Sequence, residues 1–166
     1  MLPNFLILAA AALIPMVLGY IWFHPKVFGG AYWYDVAKLS GADRSEVSTI
    51  KLLSTLVLNF FIAFGLFNLT VHQFGALSMV GGEAELLKTG VGGAFMSEYG
   101  ATHLNFGHGA LHAVIQALIG FFIPILGYVA IFEKKSFKYF LVYLGYWAIS
   151  LILMGGIICQ WGAVAA

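Results

Sequence analysis

The sequence predicts an all-α polytopic membrane protein: a four-transmembrane-helix bundle with a short cytoplasmic amphipathic helix and a long outer loop. Three observations carry this. Four apolar stretches, residues 2–23, 50–71, 109–132 and 137–161, are each near or above the ~20 residues a helix needs to cross a bilayer. Charged residues make up only 9% of the chain and sit almost entirely between those stretches, and mean hydropathy is +0.94. No segment outside them is long enough to bury a core of its own, so residues 1–166 are read as one transmembrane domain.

Positive charge sets the expected orientation. The first loop carries Lys26, Lys38, Arg44 and Lys51, and the third carries Lys134, Lys135 and Lys138; the second has only Lys88 and the termini have none. Seven cations against one place the first and third loops in the cytoplasm, with the second loop and both termini outside. The first span lacks a basic leader and ends in Tyr20-Ile21-Trp22-Phe23 rather than a small-residue cleavage site, so it is read as a retained helix. Scattered basic residues with no patch that tracks phosphates exclude nucleic acid as a partner. The single cysteine, Cys159, has no internal disulfide partner and is read as a small buried hydrophobe.

Taken in order, the first span is small-residue-rich at Ala9 to Ala12 and is expected to kink at Pro15, which removes one helix hydrogen bond. Trp22-Phe23-His24-Pro25 puts aromatics at the interface, followed by a rigid turn. Beyond Phe28, a surface helix running past Trp33 sets Tyr32, Val36 and Leu39 on one face and Asp35 and Lys38 on another, and Gly41 ends it. Asp43 with Glu46 reads as a capping box opening the second helix, which enters the membrane near Ile50. That helix has a polar or small stripe at Thr55, Asn59 and Ala63, and a second face with Gly65, Asn68 and His72.

The outer loop, about residues 75–106, is too long to be a plain connector. It mixes glycines with Val91, Phe95, Met96, Tyr99, Leu104 and Phe106. Residues 83–88 suit one or two helical turns. The rest is expected to fold back on the outer surface or dip in as a re-entrant segment, its glycines arguing against a fifth span. In the third span Gly109, His112, Gln116, Gly120 and Gly127 recur at helical spacing and predict the face that packs against the bundle. The fourth contributes Tyr139, Tyr143, Tyr146, Trp147, Ser150 and Gly155-Gly156, with Gln160-Trp161 at its outer end.

Two segments carry a family resemblance. One runs Gly19-Tyr20-Ile21-Trp22-Phe23-His24-Pro25-Lys26-Val27-Phe28-Gly29, with Trp33 following; the other runs Phe132-Glu133-Lys134-Lys135-Ser136-Phe137-Lys138-Tyr139, followed by Gly145-Tyr146, Gly156 and Trp161. Together they resemble a bacterial family of small four-span membrane proteins known only as a domain of unknown function, marked by a Trp-aromatic-x-Pro-x-x-Phe-Gly element. Phe23-His24 stands where Tyr-Ser is common in that family, and the glycine-rich outer loop is an addition. The resemblance implies fold and location, the cytoplasmic membrane of a bacterium, and implies no reaction. Trp22, His24, Pro25, Phe28 and Trp33 are read as its structural turn.

Chemistry, if present, is expected at the outer side. His72, His103, His108 and His112 all map there, and His108 and His112 are one helical turn apart, able to share a metal ion or a haem. Glu83, Glu85 and Glu98 are further candidate ligands. The alternatives for these histidines are buried polar packing and proton-linked titration. Asn59, Asn68, His72, His108, His112 and Gln116 together suggest an outward-facing polar pocket for a small molecule or ion. No nucleophile elbow or phosphate loop is present, and the acids lie in loops or at helix ends. The leading functional expectation is therefore an accessory, scaffolding or partner-binding membrane subunit, with another membrane protein or a second copy as partner; the alternative is binding or transport through the histidine pocket.

Overall fold

A computed structural model of the chain describes residues 2–30 and 48–164. It is an all-α multi-pass bundle. In order it comprises β1 (Leu2–Pro3), α1 (Phe5–Trp22), a π-turn at Pro25–Gly29, α2 (Thr49–Thr70), α3 (His72–Met79), a 3₁₀ turn at Ala84–Leu87, α4 (Gly90–Tyr99), α5 (Phe106–Phe132), α6 (Phe137–Trp161) and β2 (Ala163–Val164). Helices α1, α2, α5 and α6 have 18, 22, 27 and 25 residues, long enough to cross ~30 Å of hydrocarbon. The surface helix past Trp33 and the Asp43–Glu46 capping box lie outside the described residues.

Each crossing helix begins with a polar side chain that takes up one of the backbone N–H groups a helix start leaves unpaired. Asn4 Oδ1 accepts from Leu6 N at 3.2 Å, Ser48 Oγ from Lys51 N at 3.4 Å, Asn105 Oδ1 from His108 N at 2.9 Å and Ser136 Oγ from Tyr139 N at 3.0 Å. Ser48 therefore caps α2, whose first residue is Thr49. Asn105 starts α5 at Phe106, earlier than the expected Gly109.

Four passes return the chain to the face where it began. There β1 pairs antiparallel with β2, Leu2 opposite Val164, and Asn4 N donates to Gly162 O at 2.7 Å. This terminal end also carries residues 71–105; the loop end carries the turns at 23–30 and 133–136.

Helix α6 is the centre of the bundle. In its most apolar window 44% of residues are buried inside the protein, against 11–22% for the other three crossings, whose outward Leu, Ile, Val and Phe side chains face the bilayer. Close approach of α5 to α6 depends on missing side chains. A Cβ on Gly109 would run into the Gly155 carbonyl, and one on Gly155 would stand 2.6 Å from Ala113 Cβ.

The expected continuation of that face along Gly120 and Gly127 is not observed: a Cβ on either would have no atom within 4 Å. Residues Ala113–Phe122 wind as a π-helix, whose wider turn breaks the α-helical spacing that had put them on one face.

Pro15 interrupts α1 as expected. The helix breaks at Leu13 and restarts at Ile14, with Pro15 in the new first turn. Neighbouring helices hold the break: Asn59 Nδ2 donates to Ala12 O at 3.2 Å and Tyr146 OH donates to Pro15 O at 2.8 Å. In an apolar solvent such side chains replace the water that would otherwise satisfy freed carbonyls.

The turn after α1 is a wedge against α6. Trp22 Nε1 donates to Val142 O at 3.0 Å, its ring packs on Phe28 at 4.5 Å between centroids, and a Cβ on Gly145 would lie 2.9 Å from that ring. His24 Nδ1 accepts from Lys26 N at 3.2 Å, and the His24 carbonyl takes Val27 N and Gly29 N at 2.9 and 3.0 Å. Gly29 is buried where a Cβ would collide with the Phe23 carbonyl.

The long loop is folded. Gly81, Gly82 and Gly90 take positive φ of 68°, 86° and 57°, which lets the chain double back around the Ala84–Leu87 turn. Helix α4 has 10 residues, none buried, and is too short to cross.

Candidate functional site

The histidines meet at the terminal end because of how two helices are interrupted and capped there. Val71, at φ −104° and ψ 87°, ends α2, so His72 leaves the crossing helix and opens α3. Asn105 caps α5, which puts His108 in its first turn and His112 one turn deeper.

Two tethers hold this layer from behind. The Cys159 thiol of α6 lies 3.3 Å from Thr70 O and 3.4 Å from His103 O, and Gln73 Nε2 donates to Thr102 O at 2.9 Å. His103 itself has φ 62°, a left-handed backbone uncommon outside glycine.

His72, His108 and His112 each place one ring nitrogen so that all lie within 4.8 Å of one another. His72 Nε2 and His112 Nε2 are 3.4 Å apart. Nitrogens bound to one tetrahedral metal at the usual ~2.0–2.1 Å stand about 3.4 Å apart. The ring centroids are 5.1 Å apart for His72 and His108, 4.6 Å for His72 and His112, and 4.3 Å for His108 and His112.

His108 Nε2 is buried and has no hydrogen-bond partner. Buried polar atoms are almost always paired, so an orphan here marks a position with coordination capacity left over. His112 uses its other nitrogen, Nδ1, against the Gln116 side-chain amide at 2.9 Å. Which amide atom faces Nδ1 is an assignment; with Oε1 turned inward, Gln116 accepts Nδ1–H and leaves the Nε2 lone pair pointing into the cluster.

The other candidates lie elsewhere. His103 stacks on the His108 ring at 4.9 Å and 26° and does not belong to the close group of three. Asn59 is buried in mid-bundle on the Ala12 carbonyl. Asn68 is exposed and donates to Phe64 O of its own helix at 2.8 Å. Among the described residues no carboxylate joins the cluster, and Glu85 pairs with Lys88 at 2.8 Å. Of the six pocket candidates, then, His72, His108, His112 and Gln116 are brought together, while the two asparagines serve separate places.

Sequence reasoning missed the tethers made by Cys159 and Gln73. Gln73 follows a candidate histidine directly, and that adjacency is the only signal the sequence held.

The chain matches the family described as "Protein of unknown function (DUF1761)" over residues 6–159 and belongs to it. No curated protein and no solved structure matches it.

Proposed function

We propose that this member of the family binds one divalent transition-metal ion at the terminal end of its bundle, with His72, His108 and His112 as ligands. The observation that carries the reading is the convergence of three imidazole nitrogens within 4.8 Å from residues as far as 40 positions apart in the chain. Imidazole suits zinc, copper, iron and nickel, and three protein ligands leave a coordination position open, as in catalytic rather than closed structural sites. A bare ion fits better than haem, because rings packed at 4.3–5.1 Å leave no room for a planar macrocycle between two of them.

Charge supports a bacterial inner-membrane orientation with the site outside, since seven of the eight cations fall, along the sequence, in or beside the first and third loops. Labelling of Ser136→Cys by an impermeant reagent from outside intact cells would reverse it. A role as a subunit of a larger membrane assembly is favoured by one separate observation: Gly120 and Gly127 expose backbone to the bilayer with open space above them, where a second copy or another membrane protein can approach. A solitary monomer after gentle extraction removes that second reading.

The test of the metal reading is elemental analysis of protein purified in mild detergent and reloaded with Zn²⁺. Wild type and His24→Ala, altered at the opposite end, should each hold about one ion per chain. His108→Ala/His112→Ala should hold none while keeping its helical circular dichroism. Equal metal in all three, or none in wild type, sinks the proposal.

A further inference from the structure

Resting on the metal reading, we infer that the ion and an apolar groove beside it form one site for an anionic amphiphile: a lipid whose phosphate or carboxylate head ligates the metal and whose hydrocarbon chain lies between α2 and α5.

The groove has a volume of about 330 Å³ and is lined by Ile62, Gly65 and Leu69 of α2 and by Ala117 and Phe121 of α5, with Leu151 of α6 also in its wall. Every lining side chain is apolar. Gly65 keeps it open, since a Cβ there would have nothing within 4 Å. The groove lies between two crossing helices, so the surrounding solvent is hydrocarbon, and an acyl or isoprenoid chain is the occupant that costs no desolvation of polar groups.

Along both helices its lining comes within a few residues of the histidines. Leu69 is three residues before His72, and Ala117 follows Gln116, whose amide touches His112. Three residues beyond Leu69, and five before Ala117 along α5, the chain changes from groove lining to the ligating His72 and His112. An amphiphile has the same order of chemistry along its length.

Charge selects the head group. Three neutral imidazoles leave a bound divalent ion with its full charge of +2, and no carboxylate among the described residues lies in the cluster to offset it. A phosphate or carboxylate oxygen in the open position supplies both the missing ligand and the missing negative charge. Zwitterionic phosphatidylcholine, its phosphate shielded by choline, supplies them less well.

The experiment uses the full chain in phosphatidylcholine nanodiscs, zinc-loaded or stripped by chelator, with metal counted on the same samples. Chain-spin-labelled phosphatidic acid, fatty acid and phosphatidylcholine are the probes, and the motionally restricted fraction is read by electron paramagnetic resonance. The expected result is restriction of phosphatidic acid or fatty acid at least ~10-fold over phosphatidylcholine in the zinc-loaded protein, a preference of about 1.4 kcal/mol, lost on chelation; the more strongly held probe identifies the head as phosphate or carboxylate.

Gly65→Leu, which fills the groove, should abolish the preference and keep its zinc. Gly30→Leu, an equally open position at the loop end, should keep both. Zinc bound with no anionic preference, or a preference that survives in Gly65→Leu, overturns this inference and leaves the metal site standing. Absence of zinc from wild type overturns both.

Discussion

At the loop end of the bundle Trp22 donates to Val142 O at 3.0 Å, and His24 Nδ1 accepts from Lys26 N at 3.2 Å. At the terminal end His72 and His112 set their Nε2 atoms 3.4 Å apart, and His108 Nε2 is buried with no partner. Both ends are rich in aromatic rings carrying nitrogen. At the loop end each named ring nitrogen is used to hold the chain to itself, so removing one should loosen the fold. At the terminal end the nitrogens converge on each other, where imidazoles gain little from mutual contact and much from a shared cation. The difference lies in what the ring nitrogens face: backbone at one end, one another at the other.

The largest expected contrast between the ends is their response to acid. Only neutral imidazole ligates, so protons compete with the ion, and metal retained at about pH 7.5 should be fully released by about pH 5. The sign follows from the ligands: stability contributed by the bound ion is present at the higher pH and lost as pH falls. The Trp22 indole that docks α1 on α6 does not titrate in this range, so that contact should persist. Elemental analysis after dialysis at each pH, with tryptophan fluorescence as the readout of the Trp22 contact, checks this; metal bound equally at both pH values would break the comparison.

A smaller effect is expected from the residue behind the site. Gln116→Ala removes the partner of His112 Nδ1 and should weaken metal affinity by roughly 10–100-fold, whereas Gln116→Glu, which offers a stronger acceptor, should retain or tighten it. Competition with a chromophoric chelator measures both. Identical affinities for the two variants would mean that Gln116 does not orient the ring.

The smallest effect belongs to the loop end. Trp22→Phe keeps an aromatic ring against Phe28 but loses the donor to Val142 O, and should lower stability by about 1 kcal/mol in a detergent-unfolding titration without changing metal content. A loss of metal in this variant would show that the two ends are coupled rather than independent.

Much of the local structure was legible from residue types. Pro15 predicted the break in α1, residues 83–88 predicted a helical turn, and the glycine content of the long loop agrees with a helix too short to cross. The site was legible only in part. The spacing of His108 and His112 announces that they share a helical face, yet nothing in the sequence says that His72 reaches them. Asn59 and Asn68 carry the same side chain and the same apparent signal. The buried one is consumed by the broken backbone of α1 at Ala12 O, and the exposed one by Phe64 O of its own helix. The glycine face of α5 was misread beyond Gln116 because helical spacing presumes 3.6 residues per turn, and Ala113–Phe122 does not keep it.

From the sequence alone came the number of crossings, their approximate limits and the charge difference between the two ends. These depend on the length of apolar runs and the position of cations, quantities that the bilayer reads one segment at a time. Only the tertiary structure decided that α6 is the centre of the bundle, that Trp22 wedges against Gly145, and that three histidines from α3 and α5 face one another. Those outcomes depend on where Val71 ends a helix, how closely Gly109 and Gly155 let two helices approach, and which carbonyls are left for side chains to fill. Such contacts join residues far apart in the chain, and no periodicity along one helix encodes them.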